Sequence, residues 1–230
     1  MKKDINGILF VDKPRGITSH DVVDIVRGQL GIRRVGHGGT LDPLATGLML
    51  ILVGKSTKLF PKLSGLDKEY FATLKLGAVT STGDSEGKIL KESGYDNITE
   101  PEIRNTFGKF TGELLQVPPQ VSALRHKGRR LYDLARQGKT VSLSPRRIKI
   151  HSLIIKNIYL PYIDFEAFCS KGTYIRKLAQ DMGDVLGCGA HITKIRRTKI
   201  GPFKVEDSIN PYKVDESYLI RDIPWLEVQA

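Results

Sequence analysis

The sequence predicts an α+β fold with a mixed, largely antiparallel sheet flanked by helices and loops. It contains short apolar runs typical of buried strands and longer segments with helical spacing of apolar residues, and these do not alternate regularly as β-α-β units. With 230 residues, of which 40% are hydrophobic, the chain is long enough to bury a substantial core. No repeat, low-complexity tract or linker divides it, so we predict a single domain over residues 1–230.

The first half of the chain contains a strand, a helix and a second strand. Residues 8–11 form an apolar run typical of a buried strand. Thr18 and Ser19 can cap a following helix, and Gly31 can end it. Residues 70–76 alternate between apolar and polar positions, as a half-buried strand does. The apolar positions of the predicted helix are Val22, Val23, Val26 and Leu30.

The second half begins with a capping box at residues 99–102, which predicts the start of a helix. A strand follows near residue 165, with Ile163, Phe165, Ala167 and Cys169 on one face. It leads into a helix whose apolar stripe is predicted to be Ile175, Leu178, Ala179, Met182, Val185 and Leu186. Residues 116–141 are instead polar, basic and rich in Gly and Pro, so we expect a long exposed segment there.

The charge balance indicates a polyanionic partner. Lys and Arg number 36 against 25 Asp and Glu, which gives a net charge of +11 and a pI near 9.6. Nucleic acid and an anionic membrane surface both fit this charge. No apolar run approaches the roughly 20 residues that a membrane span needs, so we favour nucleic acid and expect no membrane. Cys169 and Cys188 form no C-x-x-C motif, and we predict a cytoplasmic location.

Several common chemistries lack their motifs. The sequence has no H-E-x-x-H, no zinc-deaminase signature and no Walker loop, so we predict no metal site and no nucleotide cofactor. Residues 83–87 do match the serine-hydrolase pattern G-x-S-x-G. That pattern needs a buried strand before it and a helix after it, and the flanking residues favour neither. We therefore predict a polar turn between strands, with a hydrolase using Ser85 as an alternative.

Residues 36–47 form a glycine-rich run that contains one carboxylate: G-H-G-G-T-L-D-P-L-A-T-G. Asp42 followed by Pro43 is typical of a helix start, with Asp as N-cap. His37 is compatible with an ordinary polar loop. Glycines also let backbone approach a ligand closely, and catalytic carboxylates are often presented from such loops. Taken alone, the run leaves both interpretations of Asp42 open, and they are mutually compatible.

This run resembles the catalytic motif of the TruB family of tRNA pseudouridine synthases, which act on uridine 55 of the T loop. Further segments resemble other motifs of that family in the same order, from residue 7 to about residue 201. They are an opening motif (7–20), a tyrosine motif (67–70), a thumb loop (117–123), an arginine motif (170–176) and a late basic motif (195–198). An ordered set of motifs is far more specific than any one of them.

The resemblance implies the pseudouridine synthase catalytic fold and an isomerase that needs neither metal nor redox cofactor. Asp42 is then the catalytic nucleophile, and Arg176 pairs with it and fixes its direction. Tyr70 stacks on the flipped base, Tyr174 and Ile195 line the pocket, and His37 occupies space left in the rearranged T loop. Attack at C1′, attack at C6 and formation of a glycal all remain open as the route.

The resemblance also implies tRNA, held by its T arm, as the partner of a monomeric enzyme. A thumb-like loop at residues 116–141 grips the RNA, although Val121 stands where relatives often carry an aromatic residue. The predicted contacts to the RNA backbone are Arg125, Lys127, Arg129, Arg130, Arg196 and Arg197. We expect no C-terminal PUA domain, so another RNA substrate is an open alternative. A non-catalytic RNA-binding protein or RNA chaperone with the same fold is the second.

Overall fold

The computed structural model describes residues 5–122, 124–126 and 128–221. The strands are β1 (Gly7–Lys13), β2 (Val35–His37), β3 (Thr46–Val53), β4 (Lys68–Leu76), β5 (Ala78–Thr80), β6 (Ile89–Glu92), β7 (Gly112–Gln116), β8 (Arg125–His126), β9 (Arg129–Arg130), β10 (Arg146–Tyr159), β11 (Tyr162–Cys169), β12 (Ala190–Ile200) and β13 (Phe203–Lys204). The helices are α1 (Ser19–Leu30), α2 (Phe60–Ser64), α3 (Glu100–Lys109), α4 (Leu131–Arg136) and α5 (Ile175–Leu186). The predicted α+β class is confirmed.

The chain forms two compact units, and each is described by itself. The first comprises the chain up to Lys68 together with the chain from Arg196 onward, and the second is Glu69–Ile195. Strand β12 therefore contributes its beginning to the second unit and its end to the first. The single catalytic domain expected from the sequence stays a prediction.

Strand β3 is the centre of the first unit. It pairs antiparallel with β1 along its whole length and with β2 near its end, and it pairs in parallel with β12 through Arg196 and Arg197. Every residue of β3 after Thr46 is buried, which explains its continuous apolar sequence. One residue of β1 and alternate residues of β3 pack with α2 and with residues 200–205 in one core cluster: Ile8, Leu48, Leu50, Leu52, Leu63, Ile200, Phe203 and Val205.

Helix α1 follows its sequence signals closely. Thr18 is the N-cap and forms a capping box with Asp21, since each side chain accepts a hydrogen bond from the other residue's backbone N–H. Hydrogen bonds to the Asp21 carboxylate from the backbone N–H and from the hydroxyl of Thr18 lower the pKa of this carboxyl. Gly31 ends the helix in the left-handed conformation, with φ of 66°. The predicted apolar positions Val22, Val23, Val26 and Leu30 are all buried.

The second unit is a sheet with helices packed on it. Its strands lie in the order β12, β4, β11, β10 and β7, and the long β10–β11 and β10–β7 pairs are antiparallel. Helix α3 contacts both β10 and α5. Its Phe107 meets Phe165 of β11 edge to face, with ring centroids 5.5 Å apart. The predicted inward face of β11, which also includes Ile163, Ala167 and Cys169, is buried.

The predicted apolar stripe of α5 is correct up to Met182 and wrong at Val185, whose side chain is 51% exposed. Gly183 is buried on the packed side of the helix, where a Cβ would lie 2.2 Å from the backbone nitrogen of Ala190. The helix therefore presents Gly183 to the neighbouring backbone, and Val185 turns outward.

Among the described residues, no helix is long and apolar enough to cross a membrane.

The segment at residues 116–141 contains more regular structure than its composition indicates. Strands β8 and β9 form a short hairpin in which Arg125 faces Arg130, and α4 follows directly. The backbone N–H of Tyr132 donates a hydrogen bond to the carbonyl of Ser122, which connects α4 to the start of the segment.

The G-x-S-x-G pattern at residues 83–87 lies between β5 and β6, so the predicted polar turn between strands is confirmed.

Lys13, at the end of β1, is a fully buried lysine with 0% exposure. Its Nζ donates hydrogen bonds to the carbonyl oxygens of Pro14 at 2.9 Å, Ile17 at 2.7 Å and Pro43 at 3.2 Å. An ammonium group has three protons to donate, so one lysine can serve all three of these carbonyls. Lys13 thereby joins β1, the turn before α1 and the chain just before β3.

We predict that Lys13→Met lowers the free energy of unfolding by about 2 kcal/mol, because buried carbonyl acceptors lose a charged donor. Chemical denaturation measures the change. Lys58→Met, at an exposed position of the same unit, is the control and should stay within about 0.5 kcal/mol. A Lys13→Met protein as stable as the parent would show that the methionine packing offsets the lost hydrogen bonds.

Candidate functional site

Asp42 lies in the loop that joins β2 to β3, which we call the Asp42 loop (residues 38–45). Its side chain is half-buried, and its carbonyl accepts a hydrogen bond from the backbone N–H of Ala45 at 3.0 Å. No helix begins here, so the predicted N-cap role of Asp42 is wrong. Pro43 and Leu44 form a bend that leads into β3. Pairing of the buried β3 sequence outweighs the local Asp-Pro preference for a helix start.

Arg197 requires a correction. It was predicted to contact the RNA backbone, but it is only 1% exposed. Its Nε donates to the carbonyl of Leu48 at 2.8 Å, and its two terminal nitrogens donate to the carbonyls of Thr40 at 3.4 Å and Gly39 at 3.2 Å. A guanidinium enclosed in this way cannot reach a phosphate. Arg197 is instead part of the support of the Asp42 loop.

Arg176 lies in the first turn of α5 and is 3% exposed. Its Nε is 3.7 Å from Oδ2 of Asp84, one terminal nitrogen donates to the carbonyl of Thr82, and the other donates to the carbonyl of Val121 at 2.9 Å. Arg176 thus joins α5 to the turn after β5 and to the start of the segment at residues 116–141. Asp42 belongs to the first unit and Arg176 to the second, so their pairing stays a prediction.

Asp84 is a candidate site residue that the sequence analysis missed. It is 4% exposed, pairs with Arg176 and accepts hydrogen bonds from the Thr82 hydroxyl and from the backbone N–H of Glu86 at 3.1 Å. In the sequence it stands inside a polar turn, where an aspartate is usually solvated. The only signal was its proximity to Ser85 in the hydrolase-like pattern, and that signal pointed to the wrong residue.

The remaining predicted pocket residues have these positions. Tyr70 on β4 is 9% exposed and Ile195 on β12 is 7% exposed. Tyr174 immediately precedes α5 and is half-buried. Its backbone N–H donates to Oε1 of Gln116 at 2.8 Å, and its carbonyl accepts from Nε2 of Gln116 at 3.2 Å. His37 is the last residue of β2 and is half-buried. Their roles toward a substrate remain predictions.

The basic residues at 125–130, which are predicted to contact the RNA backbone, differ in their exposure to solvent. Arg129 is exposed and donates to Oε1 of Gln137 at 2.9 Å, while Arg130 is half-buried. Arg125 lies in β8, and Lys127 lies outside the described residues. Their contacts to phosphate stay predictions.

Arg196 is held by a carboxylate on β1. Its two terminal nitrogens donate to the two carboxylate oxygens of Asp12, at 2.9 Å and 2.7 Å. These hydrogen bonds raise the pKa of Arg196. The pair leaves about a third of each side chain exposed, with a relative accessibility of 34% for both, and the contact of this arginine to phosphate stays a prediction. Within the described residues, no three His, Cys, Asp or Glu side chains are grouped so that they could hold a metal ion.

Two family profiles match consecutive parts of this sequence. The TruB family pseudouridylate synthase N-terminal domain matches residues 27–175, and the tRNA pseudouridylate synthase B C-terminal domain matches residues 176–223. The chain belongs to the TruB family of pseudouridylate synthases. The predicted family and the predicted isomerase class are therefore confirmed. The Asp42 loop and Arg176 fall within, or at the junction of, the two matched regions.

Individual TruB relatives cover almost the whole chain. A Clostridium tetani protein named tRNA pseudouridine synthase B is 47% identical over 212 residues, which is 92% of this chain and 73% of that protein. A protein of the same name from Opitutus terrae is 45% identical over 208 residues, which is 90% of this chain and 86% of that protein.

Solved structures confirm the fold expected for a TruB protein. A chain of a Cbf5-Nop10-Gar1 complex matches with a TM-score of 0.69 at 31% identity, covering 89% of this chain and 52% of that chain. A chain of an H/ACA RNP bound to a substrate RNA containing 2′-deoxyuridine matches with a TM-score of 0.65 at 30% identity, covering 89% and 50%. The predicted pseudouridine synthase fold is confirmed.

We predict that Asp84→Ala lowers the free energy of unfolding by about 3 kcal/mol, because it removes a buried carboxylate that pairs with the Arg176 guanidinium. Thermal or denaturant unfolding measures this change. Glu100→Gln is the matched control, since its ion pair with Arg104 is more than half exposed, at 56% and 59%, and should contribute less than about 1 kcal/mol. Equal effects of the two substitutions would contradict a structural role for the buried pair.

Proposed function

We propose that this protein converts a uridine of tRNA to pseudouridine, and that the uridine is position 55 in the T loop. The observation that carries the proposal is the similarity to proteins named tRNA pseudouridine synthase B, which are 44% to 47% identical over 88% to 92% of this chain. An identity of this size over about nine tenths of the chain supports the same reaction on the same class of RNA.

The reaction breaks the bond between N1 and C1′, turns the uracil and forms a bond between C5 and C1′. A proton leaves C5 and N1 gains one, so the product is an isomer of the substrate and no redox step occurs. A carboxylate nucleophile can divide such a reaction into easier steps through a covalent adduct. We assign this role to Asp42. Because the base stays in the pocket, one ionised carboxylate is chemically sufficient, whereas hydrolytic glycosidases commonly use two.

The other predicted residues receive roles around the flipped base. Tyr70 stacks on the uracil, Tyr174 and Ile195 line the pocket, and His37 occupies space in the rearranged T loop. Arg176 compensates the charge of the catalytic carboxylate and fixes its direction. Within the second unit its guanidinium is already held by Asp84 and by backbone carbonyls, which supports a fixed rather than a mobile role.

The positive net charge of the protein favours binding to the negatively charged backbone of RNA. The target base must leave its stack, which costs a few kcal/mol, and contacts to phosphates supply binding energy and register. The net charge of +11 suits that task. We propose that the T arm of tRNA binds a monomer of this protein in the cytoplasm. The basic residues at 125–130, together with Arg196, contact its backbone.

Asp42→Asn tests the catalytic proposal. We expect the variant to fold, to bind a tRNA transcript with unchanged affinity and to lose turnover, because an amide cannot act as the nucleophile. Release of tritium from 5-³H-uridine measures turnover, since the C5 proton leaves only when pseudouridine forms. Asp24→Asn is the control, because this aspartate is about half exposed, at 52%, and pairs with Arg27 on the surface of α1.

The same assay separates the alternatives. A parent protein that binds RNA without releasing tritium would be a binding protein, and an active Asp42→Asn variant would exclude Asp42 as the nucleophile. Mapping pseudouridine in cellular RNA with and without the gene identifies the substrate. Loss of the modification at a site outside the T loop would replace tRNA position 55 with that site.

The phosphate contacts are tested by Arg129→Ala combined with Arg130→Ala. We expect weaker tRNA binding and a log–log salt slope whose magnitude falls by about 1.4 to 1.8, because each of the two lost phosphate contacts removes roughly 0.7 to 0.9. Lys91→Ala combined with Lys109→Ala removes the same charge from exposed positions elsewhere in the second unit. Unchanged affinity and slope in the arginine variant would contradict a role of this hairpin in RNA binding.

A further inference from the structure

The backbone before Asp42 is held by a side chain from outside the Asp42 loop. Ser19, the first residue of α1, is 3% exposed. Its hydroxyl accepts a hydrogen bond from the backbone N–H of Leu41 at 2.8 Å and donates one to the carbonyl of the same residue at 2.9 Å. A hydroxyl has one proton and two lone pairs, so a single serine can satisfy both backbone groups of one residue. Both peptide groups that flank Leu41 are thereby fixed.

The backbone after Asp42 is held as well. The carbonyl of Pro43 accepts hydrogen bonds from the backbone N–H of Gly16 at 2.9 Å and from the buried Nζ of Lys13 at 3.2 Å. The neighbours of Asp42 on both sides therefore have fixed partners in the β1–α1 region. Asp42 cannot change its backbone angles unless one of these hydrogen bonds breaks.

Arg197 connects the beginning of the Asp42 loop to β3. It donates to the carbonyls of Gly39 and Thr40 before Asp42 and to the carbonyl of Leu48 after it. Gly47 lets the chains approach this closely: its φ is 104°, and a Cβ there would lie 2.3 Å from the carbonyl oxygen of Arg197. The guanidinium thus fixes the spacing between the loop and the strand that follows it.

We propose that Ser19 and Arg197 are positioning residues that hold Asp42 in its reactive geometry. The proposal rests on the proposed function of Asp42, and neither residue contacts the reacting atoms in it. Each acts through the backbone of the loop. Preorganised geometry matters at this scale, because a displacement of about 1 Å at a reacting group can reduce a rate by roughly 100-fold. A supporting shell that fixes backbone on both sides of the nucleophile removes that freedom.

Ser19→Ala is the decisive variant, because it removes both hydrogen bonds to Leu41 and leaves the charge of the protein unchanged. We expect the single-turnover rate constant on a tRNA transcript with 5-³H-uridine to fall by about 10- to 100-fold. The dissociation constant for the same transcript should stay within about twofold of the parent, because no RNA-binding group changes. Hydrogen exchange of the free protein should accelerate in peptides that cover residues 38–45, where the Leu41 amide loses its acceptor.

Ser208→Ala is the matched control. The hydroxyl of Ser208 also donates to a backbone carbonyl of the first unit, that of Val205 in its own turn. We expect its rate constant and its exchange in residues 38–45 to equal those of the parent. Arg197→Lys is the second variant, which keeps the positive charge but not the fork of donors, and its rate constant should fall at least as far as that of Ser19→Ala.

The outcomes are distinct. A role in stability alone predicts that Ser19→Ala melts at a lower temperature but, while folded, reacts at the parental rate with parental exchange, and this result would overturn the proposal. If Arg197→Lys does not fold, Ser19→Ala still decides. If the parent and Asp42→Asn differ as expected while Ser19→Ala reacts normally, only this inference fails. If the parent releases no tritium, the proposed function fails and the inference falls with it.

Discussion

Among the described residues of the first unit, two positively charged side chains are almost completely buried, and both donate hydrogen bonds to backbone carbonyls. Lys13 is 0% exposed and Arg197 is 1% exposed. Removing such an ion from water costs several kcal/mol, even after the protein relaxes around it. The carbonyls that compensate this cost must keep their positions. The carbonyls of Gly39, Thr40 and Pro43 belong to the loop around Asp42. The hydrogen bonds that stabilise the two cations therefore also constrain this loop.

The second unit also contains a buried cation. Arg176 is buried at 3% exposure, and a carboxylate, that of Asp84, accompanies the carbonyls of Thr82 and Val121 around its guanidinium. A carboxylate compensates charge as well as hydrogen bonding, whereas a carbonyl offers a dipole alone. One side chain at the start of α5 consequently fixes a turn and the beginning of the segment at residues 116–141. The polar interior of this protein is organised around arginines whose partners come from separate elements.

The sequence correctly predicts those features of the fold that are determined by residues close together along the chain. Helix α1 begins and ends at its predicted caps, and α3 follows its capping box, because both signals act within a few residues. The helix start expected at Asp42 is absent and Arg197, expected at the RNA backbone, is buried, both for the opposite reason. Strand pairing and hydrogen bonds between residues as far apart as 158 positions override the local preferences there. The periodicity of apolar residues and the spacing of motifs do not identify partners so far apart along the chain.

The residues of the candidate site also fall into two groups, those that the sequence identifies and one that only the structure identifies. Asp42, Tyr70 and Arg176 were identified by their resemblance to family motifs, and their own spacing gave no reason to associate them. Asp84 belongs to no motif that the sequence analysis recognised, and its burial depends on an arginine more than 90 positions later, with 94 positions separating Arg176 from Thr82 in the same turn. A carboxylate in a polar turn is ordinarily solvated. Only the folded structure distinguishes this one.

The distance along the chain between Gly39 and Arg197 has a consequence for synthesis. The Asp42 loop leaves the ribosome early, while the guanidinium that anchors it is 158 positions further on. At about 5 to 20 residues per second, those positions take on the order of 10 to 30 s to translate. During that interval the nascent chain carries the aspartate without its anchor. The Asp42 loop therefore gains the hydrogen bonds from Arg197 only after β12 has been made and has paired with β3.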